Sequence, residues 1–255
     1  MLDDAQVTDF IDNGFVRIRG AFPRELAEAC RDILWLDIDP TTRTGPAVGL
    51  GDYDQQPFLD AANTATLHAA FDTLVGSGRW EPRKTLGGFV IRFPGEEPAL
   101  LDGWHVDVSY PGEDSTPGDY LTWRANINSR DRALLMLFLF TDVGDDDAPT
   151  RLRVGSHHHV ARLLEPEGDL GLDARTLAAR ADTATRHLPT AHATGRAGDV
   201  YLCHPFLVHA GQPNRGNTPR ILGQPKLTPT RALRLDGPAE DLAPVELAIR
   251  QALRR

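Results

Sequence analysis

Cysteine is nearly absent: Cys30 and Cys203 are the only two. That is too few for a disulfide framework and suits a reducing compartment. Lysine occurs only at Lys84 and Lys226. Almost all positive charge is therefore arginine, which reads first as a bias of genome composition and second as a supply of bidentate anion contacts. Positive charge is also short overall. Lys and Arg number 27 against 36 Asp and Glu, for a formal net charge of -9. Nucleic-acid affinity rests largely on neutralising phosphates, so nucleic acid is excluded as a main partner, although local arginine clusters leave room for an anionic substrate. No run of eighteen apolar residues exists, and the longest candidate, Ala133 to Phe140, has the length of a strand. No membrane span is expected. The opening Met1-Leu2-Asp3-Asp4 lacks the basic and apolar regions of a secretory signal. The expectation is a cytoplasmic protein.

What is present looks ordinary for a globular chain, with 41% hydrophobic and 25% charged residues. A chain of 255 residues buries roughly three quarters of its unfolded surface without help from a metal or disulfide. No internal repeat, low-complexity tract or linker divides it, so residues 1–255 read as a single domain. The first part, about 1–80, reads as helical. Val7 to Asn13 stops at Gly14, and Phe15 to Arg19 alternates like a strand. A helix opened by Pro23 ends before Pro40, and another spans about Asn63 to Leu74. Residues 38–57 read as loop.

From about residue 87 to 227 the period becomes that of strands. The runs are Gly88–Phe93, Trp104–Tyr110, Ala133–Phe140, Thr150–Val154, Val200–Cys203 and Ile221–Leu227, separated by glycine and proline clusters. Helical stretches near His158–Leu164 and Asp173–Ala181 interrupt them, and a last helix covers about 244–254. The expected fold class is α+β, mainly β: a jelly roll braced by the N-terminal helices.

The sharpest local feature is Gly103-Trp104-His105-Val106-Asp107. On a strand, residues i and i+2 project from one face about 7 Å apart, so His105 and Asp107 can converge on one ion. Imidazole nitrogen with carboxylate oxygen suits Fe(II), Mn(II) or Zn(II). The best third ligand is His209, at the end of a strand-like run; two histidines and a carboxylate on one face leave open positions for O2 and an organic chelator. His204, at an odd offset from His209, would face the other way and reads as structural. His157, His158 and His159 cannot converge on one metal and read as a helix start or pocket rim. His68, His187 and His192 read as ordinary. Arg220 lies eleven residues after His209, and a hairpin of that length would return it beside the metal-bearing strand. Buried there, it would offer a carboxylate a contact worth about 1.5–3 kcal/mol. Arg215, in a polar turn, reads as a surface residue. Arg92, among apolar neighbours, either snorkels outward or meets an anion inside.

With these residues the sequence resembles the phytanoyl-CoA dioxygenase family of non-haem iron oxygenases, from about Gln6 to Leu227. The resemblance is carried by the opening helix, glycine and strand (Val7 to Val16), by Trp104-His105-Val106-Asp107, by Asp147 to His157 with Val154 where proline is usual, and by Gly198 to His209 followed by Arg215 and Arg220. It implies a double-stranded β-helix, cupin-like, that binds Fe(II) through His105, Asp107 and His209. It further implies 2-oxoglutarate as cosubstrate, its 5-carboxylate on Arg220, with O2 consumed and ascorbate in support. Arg92 falls where some members place a lysine facing the cosubstrate. No small hydroxyl stands at Gly211 or Leu222, so a supplementary contact is either missing or supplied by Thr150 or Tyr201. Iron halogenases of this fold lack the carboxylate that Asp107 supplies, so the implied reaction is hydroxylation, or another oxidation of an unactivated C–H bond, with release of succinate and CO2.

The competing expectations are a cupin-like Zn or Mn hydrolase or isomerase without 2-oxoglutarate, and a non-catalytic metal- or small-molecule-binding scaffold. The expected partner is a small-molecule substrate, and the expected state a monomer or weak homodimer. Substrate choice falls to the loops at 38–57, Tyr110–Asp119 and 157–190. Trp123, Arg124, Arg132, Arg151 and Arg153 could form an anion patch, though alternation along Thr150–Val154 more simply puts Arg151 and Arg153 on an exposed face.

Overall fold

The first helix, α1 (Asp4–Asn13), is capped at both ends. The Asp3 carboxylate accepts from the Gln6 N–H at 2.8 Å, while the Asp3 N–H donates to Gln6 Oε1 at 3.1 Å. This reciprocal pair satisfies two donors that a helix start leaves free. Gly14 ends the helix at φ +87°, and a Cβ there would stand 2.5 Å from His157 Nδ1. Only glycine meets both the left-handed turn and the close approach. The computed structural model describes residues 2–38, 45–99 and 102–253.

Behind α1 come β1 (Phe15–Ile18), α2 (Arg24–Leu36), β2 (Ala47–Leu50), α3 (Gln56–Ala62), α4 (Ala65–Val75) and β3 (Phe89–Arg92). The loop expected at 38–57 is thus corrected: β2 lies within it and α3 begins there, while 39–44 fall outside the described residues. Local glycine content hid β2, because its register comes from β3, far along the chain (Ala47 opposite Arg92, Leu50 opposite Phe89). After β4 (Arg124–Ala125), β5 (Leu134–Leu139) and β6 (Arg151–Arg153) come α5 (Ser156–Leu164), β7 (Leu172–Asp173), α6 (Ala174–Thr185) and β8 (Thr190–His192). Then follow β9 (Val200–Cys203), β10 (His209–Ala210), β11 (Arg220–Gly223), β12 (Lys226–Leu227) and α7 (Pro244–Leu253). Residue 254, expected to close the last helix, lies outside the described residues.

Two further expectations are corrected. Trp104–Tyr110 forms no regular strand, only isolated bridges at His105 with His209 and at Tyr110 with Arg124. Ile221–Leu227 is two short strands, because Pro225 has no N–H to continue the ladder. The short strand β8 had no clear signal in the sequence.

The large sheet runs β1-β9-β5-β11-β3-β2 with β12 also on β5, and the small one runs β10-β6-β8; their pairs are antiparallel. β5 is buried along its whole length and explains the architecture. Leu134, Met136 and Phe138 point into a cluster shared with Phe22, Phe58 and Phe71 of the helical layer. Leu135, Leu137 and Leu139 point the other way, to Leu152 and Ala193 of the small sheet's side and to Leu207 and Leu222. Period-two alternation with both sets apolar makes β5 the shared wall of two cores. Each fully buried leucine or phenylalanine contributes about 1.5–3 kcal/mol. α7 packs on α1, α4 and α5. Among the described residues no helix is long and apolar enough to cross a membrane.

Candidate metal centre and cosubstrate pocket

His105 and His209 are joined through their backbones. Each N–H donates to the other's carbonyl at 2.9 Å, so they are directly opposed antiparallel partners with side chains on one face. Their rings lie 4.3 Å apart, centroid to centroid. Asp107, two residues on, shares that face, and its Oδ1 is 3.7 Å from Nε2 of each histidine. One ligand atom from each of the three residues lies within 4.8 Å of the others.

The histidine tautomers follow from elementary donor rules. His105 Nδ1 lies 2.8 Å from Gly103 O, and His209 Nδ1 lies 3.0 Å from Leu207 O. A carbonyl only accepts, so both Nδ1 carry a proton, and Nε2 of each ring is the nitrogen turned toward the centre. Burial, reinforced by His105 and opposed by Asp107, pushes His209 down to about 4. Burial opposes ionisation of Asp107, yet Arg132, then the two histidines, then Gln224 outweigh it and hold the carboxyl below its usual range. Two imidazoles and one carboxylate are the donor set that suits a divalent transition metal with open positions. An ion bound at about 2.1 Å needs neighbouring ligand atoms about 3 Å apart, so only sub-ångström inward shifts separate this arrangement from ligation.

Two arginines border the same cavity, of about 320 Å³. Arg220 on β11 stands directly opposite Arg92 on β3, and both are buried. Arg92 resolves its two sequence options by meeting an anion inside: its Nη2 is 2.6 Å from Asp102 Oδ1. Among the described residues Arg220 has no such neighbour. Its Nε and Nη1 lack hydrogen-bond partners among the described residues. Burial, then the repulsion of Arg92, against a smaller pull from Asp102, lower its guanidinium to about 9. A buried cation facing a like charge across a strand pair is unfavourable unless an anion joins it. Thr150, also buried, lines the same cavity.

The expected hairpin is corrected. β10 and β11 do not pair; His209 sits in the small sheet and Arg220 in the large one, between β3 and β5. The two come together as facing sheets, and the turn between them serves only as a connection. Tyr201 is also corrected: its hydroxyl donates to Thr194 O at 2.7 Å and it does not line the cavity. Arg151 and Arg153 do not sit on an exposed face. Their guanidinium carbons lie 4.9 and 4.1 Å from the centre of the Trp104 ring, and Arg153 pairs with Asp182 at 2.7 Å. Arg124 is engaged by Asp114 at 2.9 Å, so of the suggested anion patch only Arg132 and Trp123 remain near the centre. His204 is structural as expected, buried and bonded to Val245 O at 3.1 Å. His157 and His158 lie at the start of α5, and Arg215 is exposed.

Gln224 and Asp102 escaped sequence reasoning, and Arg132 reads in the sequence only as part of an anion patch. Gln224 Nε2 donates to His209 Nε2 at 3.1 Å and lies 3.5 Å from Asp107 Oδ2; its signal was available, since Arg220, Leu222 and Gln224 fall on one face by alternation. Arg132 Nη1 lies 3.3 Å from Asp107 Oδ2, and Asp102 engages Arg92. Neither had a local signal.

A sandwich of antiparallel sheets holding an open His-Asp-His centre beside an unneutralised arginine defines a non-haem metalloenzyme with an anionic cosubstrate. The family model for phytanoyl-CoA dioxygenase matches residues 94–222, just over half of the chain, and the chain belongs to that family. Members use Fe(II), 2-oxoglutarate and O2, so the protein is an Fe(II)/2-oxoglutarate-dependent enzyme with a jelly-roll core. No curated protein matches the chain. Solved structures do. HygX from Streptomyces hygroscopicus, solved with nickel, 2-oxoglutarate and hygromycin B, is 20% identical with a TM-score of 0.57, over 91% of this chain and 90% of that one. The epimerase SnoN, solved with Fe3+, alpha ketoglutarate and nogalamycin RO, is 20% identical with a TM-score of 0.56, over 87% and 81%. The carbocyclase SnoK from nogalamycin biosynthesis is 17% identical with a TM-score of 0.57, over 91% and 86%. At these identities the likeness is one of fold.

Proposed function

We propose that the protein hydroxylates an unactivated C–H bond of a small molecule, coupled to conversion of 2-oxoglutarate to succinate and CO2. The observation that carries this reading is the pairing, in one cavity, of a two-histidine, one-carboxylate centre with a buried guanidinium that has no anion among the described residues. A hydrolase or isomerase without 2-oxoglutarate leaves that guanidinium without a role. His105, Asp107 and His209 would hold the iron. Bound there, iron supplies open positions for the 2-oxoglutarate chelate and for O2. Arg220 would take the distal carboxylate, a planar fork matched to it. Arg92 keeps Asp102 occupied and so leaves Arg220 unneutralised for the cosubstrate, and Thr150 offers a hydroxyl beside it. Leu50, Phe89 and Leu222 line the cavity and limit water near the reacting carbon. Retention of Asp107 favours hydroxylation over halogenation, and the epimerase and carbocyclase among the structural neighbours give the alternative outcomes to be looked for in products.

The test is succinate release with Fe(II), ascorbate and 2-oxoglutarate across a library of small molecules, with products identified by mass. His209→Ala is expected to abolish stimulated succinate formation. Full 2-oxoglutarate turnover by that variant would refute the ligand assignment.

A further inference from the structure

A second chamber, also about 320 Å³, adjoins the first, and Gly88, Asp107, Tyr120 and Gln224 line both. Neither Arg92 nor Arg220 borders it. Its walls instead bring in Arg83, Arg132 and Lys226, with Asp52 as the only carboxylate besides Asp107. This concentration of cations stands out in a chain of net charge -9 that has only two lysines.

These cations are poorly neutralised. Lys226 Nζ donates to Ser109 O at 3.2 Å, Arg83 to Thr85 O at 3.0 Å and Lys226 O at 2.7 Å, and Arg132 Nη2 to Val108 O at 3.1 Å. Backbone carbonyls orient a cation without cancelling its charge. Within the described residues neither Arg83 nor Lys226 has a carboxylate within 4 Å. Arg132 is 6% exposed, and its Nε and Nη1 lack hydrogen-bond partners. Its one acidic contact among the described residues, Asp107 at 3.3 Å, is the carboxylate a metal would claim. Buried guanidinium nitrogens without acceptors carry a desolvation cost that an oxyanion would relieve. Tyr120 and Trp123 add aromatic wall beside them.

We propose that this chamber is the substrate's anion subsite: the substrate is a small organic oxyanion, a carboxylate or phosphate ester. Its charged end is held by Lys226, Arg83 and Arg132, and the carbon to be oxidised lies at the boundary shared with Asp107. The proposal rests on the functional reading above and supplies its substrate class. It also separates two anions in one active site, the cosubstrate's on Arg220 and the substrate's on the Lys226 side.

The test uses the full chain, loaded anaerobically with Fe(II) and 2-oxoglutarate, whose charge-transfer absorption reports chelation of the cosubstrate. Inorganic phosphate, acetate and chloride are titrated at constant ionic strength. The expected result is a saturable perturbation of the band by phosphate or acetate at concentrations where chloride does nothing, with the better probe naming the ester or the carboxylate. Lys226→Met and Arg83→Met should each weaken that response tenfold or more. Should one variant fail to fold, its circular dichroism will show it and the other carries the comparison. Absence of the band would sink the functional reading itself. A normal band with both oxyanions no better than chloride would overturn the anion subsite alone. So would an oxyanion response undiminished in both folded variants, since that is direct ligation to iron.

Discussion

Arg132 and Arg220 are both buried cations, but removing them should move stability in opposite directions. Arg132 faces Asp107, a buried carboxylate at 3.3 Å, so Arg132→Met leaves that charge uncompensated. A buried pair broken on one side typically costs about 3–5 kcal/mol, and this looser one should fall near the low end. Loss of a partner that orients a ligand also costs about 10–100-fold in metal affinity. We expect a lower melting temperature and at least tenfold weaker Co(II) binding by calorimetry. Arg220 has no carboxylate within ion-pair distance among the described residues and faces another arginine. Arg220→Met should therefore raise the melting temperature of the metal-free protein while weakening 2-oxoglutarate binding by about 10–150-fold, the equivalent of about 1.5–3 kcal/mol. Such a trade of stability for function is common at binding sites. Melting curves with and without 2-oxoglutarate would separate the two effects, and a destabilised Arg220→Met would show that the guanidinium is structurally satisfied.

At the scale of elements, the turn from α1 into β1 is the most constrained connection. Gly14 joins a left-handed backbone to contact with His157, whose Nε2 is 2.9 Å from Ile11 O. Gly14→Ala adds about 1–2 kcal/mol of backbone strain and pushes a methyl against a fully packed ring. Chemical denaturation should show a loss of more than about 2 kcal/mol, since the steric term adds to the strain. Asp3→Ala, which removes only the exposed cap of the same helix, should cost about 1 kcal/mol. Equal costs would mean that the turn relaxes and the contact with α5 is dispensable. The comparison also shows what local sequence can reveal. Gly14 as a helix stop is legible from the residues around it; its contact with His157, far along the chain, is not.

For the whole molecule, pH is the informative variable. Burial lowers His204 to about 3, and burial followed by the charges of His204 and His158 holds His157 well below its ordinary value. Both are neutral when folded, whereas in the unfolded chain each titrates near 6.5. Below about pH 6.5 the unfolded chain therefore binds protons that the folded chain refuses, and stability falls as pH falls toward 3. It is fully present above 6.5. Each such group contributes a slope of up to about 1.4 kcal/mol per pH unit. Metal-free protein should lose melting temperature steadily below pH 6.5, and His204→Gln should flatten the profile while lowering it at pH 7. Parallel profiles for the two proteins would show that His204 takes no part in acid unfolding.

How much of this was readable in advance differs by the kind of interaction. His105 and Asp107 share a face because the backbone is extended locally around the His105 bridge, a relation over three residues, and the alternation of β5 is likewise a property of consecutive side chains. Motif order along the chain was enough to bring His209 and Arg220 into the same site. The route was not legible. A hairpin was the economical inference from eleven residues, whereas the protein sets the two residues in facing sheets. The contact of Arg132 with Asp107, the part played by Asp102 and the unneutralised state of Arg220 were likewise invisible, because burial and charge pairing are sums over neighbours from distant segments. Periodicity and residue chemistry act along the chain, so sequence alone could indicate most element types and name a candidate donor set. Which cations lack anions, and which imidazole nitrogen faces the centre, depends on what else occupies the same few ångströms, and only the packed tertiary structure decides that.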